Sequence, residues 1–106
     1  MNMRKKPRSM AQQLMDLEEQ LGELIEATPT AARKRKLSKL RVAVAEQSRR
    51  LIRRNLDTST AAYQAAADGL RDASEAARKA IAGVDSVKAT IDAVAKAVEW
   101  ASRIVA

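Results

Sequence analysis

A single heptad register runs without a skip from Tyr63 to Val105, and it constrains this chain more than any other feature. With Leu70 as position a, the a positions are Tyr63, Leu70, Ala77, Val84, Ile91, Val98 and Val105. The d positions are Ala66, Ala73, Ala80, Val87, Val94 and Ala101. No charged residue falls on this seam, so the pattern speaks of helix association rather than chemistry. It predicts one long alanine-rich amphipathic helix over 57–106. Its helical part, 58–105, is roughly 72 Å long if straight. Gly83, followed by Asp85 and Ser86 as candidate caps, marks the place for a bend or break.

The rest of the 106 residues reads as helix too. Ala, Leu, Arg, Lys, Glu and Gln dominate, and all favour helices. Met10, Leu14, Leu17, Leu21 and Leu24 recur at spacings of 4, 3, 4 and 3. Ser9 with Gln12 has the spacing of a capping box, and Pro29 ends the run by disfavouring helical geometry at Thr28. A second helix carries Leu37, Leu40, Val44 and Leu51, interrupted by Gln47 and Ser48. Asp57 is the expected cap of the third helix. The predicted fold is therefore all-α: an antiparallel helical hairpin packed on a long C-terminal amphipathic helix, as a three-helix bundle or coiled coil.

Charge divides the chain further. Residues 1–8 contain Arg4, Lys5, Lys6 and Arg8 and read as a disordered basic tail. Residues 9–28 carry five acids and no base, and residues 29–56 carry ten bases and one acid. Opposite charges on consecutive helices predict that 9–56 forms a charge-paired hairpin, with charge setting register more than stability.

The chain contains no His and no Cys. Imidazole acid–base chemistry, thiol nucleophiles and nearly all zinc or haem ligation are excluded. Glu19, Glu23 and Glu26 lie at helical spacing, but helical di-metal sites pair Glu with a Glu-x-x-His. No Gly-rich phosphate loop occurs. The expectation is a non-enzymatic protein with no cofactor, no metal and no small-molecule substrate. The basic start lacks the apolar region of a secretion signal, and no run of about 18 apolar residues could span a bilayer. The expected location is the cytoplasm.

Two candidate surfaces follow. If the long helix overhangs a shorter hairpin, its Val/Ile half is left exposed. Val84, Val87, Ile91, Val94, Val98 and Val105 then form an oligomer or partner-protein interface, with Trp100 and Ile104 on a second stripe alongside Ala89, Ala93 and Ala97. The second surface is the basic face of helix two: Arg33, Lys34, Arg35, Lys36, Lys39, Arg49, Arg50, Arg53 and Arg54. It suits nucleic acid or another anionic partner, although no stacking aromatics interleave with it. A third reading, binding to a membrane or apolar surface, rests on the C-terminal amphipathic helix. Its mixed-charge polar face speaks against that reading. The leading expectation is a helical interaction or structural protein that self-associates or binds a partner protein through the C-terminal helix.

Overall fold

The computed structural model describes residues 9–52, 56–57, 59–84 and 86–105. The basic tail of 1–8 and residues Arg53 and Arg54 lie outside these. Among the described residues the chain forms four helices and no strand: α1 (Met10–Ala27), α2 (Ala31–Leu51), α3 (Ala61–Ile81) and α4 (Val87–Val105).

Local signals account for most helix ends. Ser9 caps α1 by accepting from the backbone N–H of Gln12 at 3.1 Å. The Gln12 amide does not reach back to complete the box; it donates to Asp16 Oδ1. At the other end Thr28 leaves helical geometry and is buried, its hydroxyl donating to the Leu24 carbonyl. Thr30 takes the cap position of α2 without a side-chain bond. Helix α3 starts later than Asp57 suggests, because Thr60 is its cap, accepting from Tyr63 N at 3.1 Å. Asp57 instead folds its own turn, accepting from both the backbone N–H and the hydroxyl of Ser59.

The expected helix over 57–106 is two helices, with its break where the only positive-φ glycine sits. Gly83 has φ of +77°. Its N–H donates to the Ala80 carbonyl, and the Val84 N–H donates to Lys79. These two bonds satisfy carbonyls that the end of α3 would leave open, and the left-handed residue between them costs glycine least. Ser86 then caps α4, accepting from Ala89 N at 3.2 Å. Helix α4 therefore folds back along α3 rather than extending beyond it.

The outcome is two helical hairpins, α1–α2 and α3–α4, packed together. Helices α1 and α4 each take α2 and α3 as their principal neighbours. Leu14, Leu17, Leu21 and Leu24 of α1 meet Leu37, Val44 and Leu51 of α2, Leu70 of α3 and Val94 of α4 in one core.

Each of the four main helix–helix seams also carries a side-chain hydrogen bond. Ser48 of α2 donates to the Ala11 carbonyl of α1. Gln47 of α2 donates to the Val98 carbonyl of α4 at 2.9 Å. Ser74 of α3 donates to Gln20 of α1 at 2.8 Å. Thr90 of α4 donates to the Ala76 carbonyl of α3 at 3.1 Å. The polar interruptions in α2 are thus buried cross-links. Such bonds contribute about 1 kcal/mol each but constrain which faces can meet.

Candidate functional site

The C-terminal seam lies folded against the chain. Val94, Ala97 and Ala101 are fully buried, as is Thr90. Val87, Ile91, Val98, Trp100 and Ile104 are half-buried and packed against the core. Only Val84, in the Gly83 turn, is widely open at 76 % exposure. The side chain of Val105 lies outside the described residues. The overhang expected for this half does not occur, because the break at Gly83 gives α4 two neighbours of its own length.

The deepest line of α4, Thr90–Val94–Ala97–Ala101, runs between the two apolar stripes seen in the sequence. One flank, with Val98, meets α2 through the Gln47 bond. The other flank meets α3, where a Cβ added at Gly69 would stand 3.6 Å from the Ala97 Cα and 4.0 Å from Trp100 Cδ1. A helix apolar on two faces sits between two neighbours, and both neighbours belong to this chain. The Trp100 ring is capped on one face by the Arg103 guanidinium, 4.5 Å from its centroid.

The basic face of α2 is solvent-facing. Arg33, Arg35, Lys36, Lys39, Arg49 and Arg50 are exposed, and Lys34 is half-exposed. Of the 21 residues of α2 only five are buried, so this helix shows more of itself to solvent than α1 does. The ion pairs observed among the described residues lie elsewhere, within α3 and α4: Arg71–Asp68, Lys79–Glu75, Lys88–Asp92 and Arg103–Glu99. Arg41 reaches across α1, its guanidinium 3.1 Å from where a Cβ on Gly22 would stand.

Residues outside the two sequence-derived surfaces are also prominent. Among the described residues three of the four exposed large hydrophobics belong to the first hairpin: Val42 at 62 %, Ile52 at 61 % and Met15 at 41 %. Met15 and Ile52 line an open groove of about 420 Å³ between α1 and α2, with Glu18, Ala45, Ser48 and Arg49. On α2 the outward positions Ser38, Val42, Ala45, Arg49 and Ile52 recur at spacings of 4, 3, 4 and 3. On α1 Gln12, Met15, Glu19, Gly22 and Glu26 recur at 3, 4, 3 and 4. These are heptad seams in geometry, hidden from a hydrophobicity reading because half of their members are polar.

A second groove, of about 400 Å³ between α1 and α3, is lined by Gln13, Asp16, Glu19, Arg71 and Arg78 among others. Among the described residues no group of three or more acidic side chains is placed to hold a metal ion, and no helix is long and apolar enough to cross a membrane. No family model, curated protein or solved structure matches the chain.

Proposed function

We propose that this protein is a non-enzymatic helical interaction module whose contact surface is the outer face of the α1–α2 hairpin. The observation that carries the reading is the coincidence on that face of three exposed large hydrophobics with segregated charge, acidic on α1 and basic on α2. Apolar anchors ringed by charge are the composition of a protein–protein contact. The absence of His and Cys from the sequence supports the non-enzymatic part. A cytoplasmic site of action is the accompanying expectation. The C-terminal Val/Ile seam remains the rival surface, to be reached by opening α4 away from the bundle.

The test separates the two surfaces. Val42→Asp with Ile52→Asp should abolish association and leave the helical circular dichroism intact, since both side chains are mostly in solvent. Ile91→Asp with Val98→Asp should unfold the protein, because both pack on the core. If the α4 variant stays folded and loses association while the α2 variant keeps it, the surface is the C-terminal seam.

A second reading has its own observation. Arg35, Lys39, Arg49 and Arg50 are exposed on one helix with only Glu46 as an acidic neighbour within α2. Such a face neutralises phosphates, and binding of this kind falls steeply with salt. It predicts material absorbing at about 260 nm that co-purifies at low salt and is lost at high salt, and that Gln at these four positions removes.

A further inference from the structure

We infer that the occupant of the hairpin's outer face is a second copy of this chain, with α1 of one copy lying antiparallel on α2 of the other. The inference rests on the reading of that face as the contact surface, and adds to it the partner and its orientation. Within one chain Ala11 stands level with Ser48, which donates to its carbonyl. Met15 and Ala45 line the same groove from opposite helices, and Gly22 lies beneath the Arg41 guanidinium. Extending that register along the hairpin puts Gln12 level with Arg49, Gly22 with Ser38, and Glu26 with Arg35.

A two-fold axis running along the hairpin stacks α1 on the partner copy's α2 and preserves these levels. Each contact is made twice, as an isologous interface requires. Glu26 then meets Arg35 of the other copy, Glu19 lies beside the Lys39–Val42 turn, and Met15 lies on the small Ala45. The opposition of charge between α1 and α2 is thus repeated between copies. Any arrangement that placed α1 on α1 or α2 on α2 would juxtapose like charges, which disfavours it. Nucleic acid would use the basic half of the face and leave Met15 and the acidic seam of α1 unexplained.

The size is sufficient. Two helices of about 27 Å, each about 10 Å wide, present about 550 Å² per copy and about 1,100 Å² in all. That is just above the roughly 1,000 Å² expected of a specific interface. A contact of this area with exposed charge at its rim is salt-sensitive.

The full chain is tested by light scattering coupled to size exclusion, with the 260 nm to 280 nm absorbance ratio recorded. The expected mass is two copies at low salt, falling towards one as salt rises. Glu19→Lys with Glu26→Lys in one variant, and Arg35→Glu with Lys39→Glu in another, should each be monomeric alone. Mixed in equal amounts they should restore the two-copy mass, since only the mixed pair opposes unlike charges at both halves of the interface. Charge opposition confined to one chain would not be rescued by mixing.

Should either variant lose its helical dichroism, single cysteines serve instead, because the chain has none of its own. Ala45→Cys lies beside the proposed axis and should cross-link to itself under mild oxidant at least tenfold faster than Ala95→Cys on the exposed side of α4. A mass of one copy at low salt overturns the second-copy assignment and leaves the hairpin face to a foreign partner. One copy co-eluting with 260 nm absorbance overturns it in favour of nucleic acid on α2. A dimer that neither rescues on mixing nor cross-links through Ala45→Cys overturns this geometry and the choice of the hairpin face with it.

Discussion

The two hairpins are held together by different means. The first, α1–α2, is built from large residues and unlike charges. Its core line of Leu14, Leu17, Leu21 and Leu24 is buried to within 1 % of completely, and, Glu46 apart, its acids and bases are kept on separate helices. The second, α3–α4, is built from small residues and balanced charge. Ala66, Ala73, Ala77, Ala97 and Ala101 fill most of its buried positions, and its ion pairs are local, three or four residues apart. Large side chains bury more area per residue, whereas small ones let helix axes approach. The first hairpin is thus the source of apolar stabilisation and of an unbalanced electrostatic surface. The second is a close-packed backing that neutralises its own charge.

The sharpest way to break this contrast is to exchange the packing strategies. Leu17→Ala removes a fully buried side chain from the large-residue core and should cost about 2–5 kcal/mol, read as a fall in the urea midpoint. Ala97→Leu makes the opposite error in the small-residue seam, where Ala97 is fully buried against Gly69. Overpacking of this kind costs about 1–3 kcal/mol. If Ala97→Leu proved harmless, α3 and α4 would be less closely packed than their facing Gly and Ala imply.

The glycines sharpen the comparison from another side. Gly83→Ala forces a Cβ into the left-handed turn between α3 and α4 and should cost about 1–2 kcal/mol. Nothing lies within 4 Å of that Cβ, so the penalty is conformational and not steric. Gly69→Ala should do the reverse. Its Cβ would make ordinary contacts at 3.6 Å and beyond, and helix propensity then favours alanine by up to about 1 kcal/mol. Thermal melts of the two variants should move in opposite directions.

How much of this was legible in the sequence depends on what periodicity can report. The Leu seam of α1, the Pro29 turn and the apolar face of α2 followed directly from spacing. The division of the long helix did not, although Gly83 was visible. The segment from Ala82 to Ser86 preserves the heptad count, so the phase of the seam passes through the turn unchanged. An amphipathic pattern records which residues face a core, and both helices face the same one.

The expected overhang of the C-terminal seam follows from that continuity. A straight helix overhangs; a folded one is covered, and its two apolar stripes find α2 and α3. The exposed basic residues of α2 were legible because charge at that density cannot be buried. The hairpin's outer seams were not, since Ser38, Arg49, Glu19 and Glu26 carry no hydrophobic signal. Nor did the sequence distinguish Gln47 and Ser48 as cross-links from flaws in an apolar face.

The smallest expected effect lies in the connection between the two hairpins, and it tests whether that connection is more than a tether. Ser59 donates to Asp57 from its hydroxyl at 2.6 Å and from its backbone N–H at 3.0 Å. These bonds favour the ionised carboxylate and hold its pKa below the ordinary 3.8, with the Ser59 hydroxyl the larger cause. A depressed folded-state value means that the unfolded chain takes up the proton first as pH falls. The contribution of Asp57 to stability is therefore fully present above the ordinary carboxylate range and is lost as pH falls through the depressed folded value. Asp57 is fully solvent-exposed, so the effect is small and belongs to the turn, not to the core. Asp57→Asn keeps an acceptor for Ser59 but cannot titrate. Urea midpoints of the two proteins compared from pH 6 down to about 3 should converge at the acid end, because the bond that Asn cannot strengthen is the one that protonation removes. Parallel curves would mean that Asp57 titrates alike in the folded and unfolded chains, and that the turn between the hairpins contributes no pH-dependent stability.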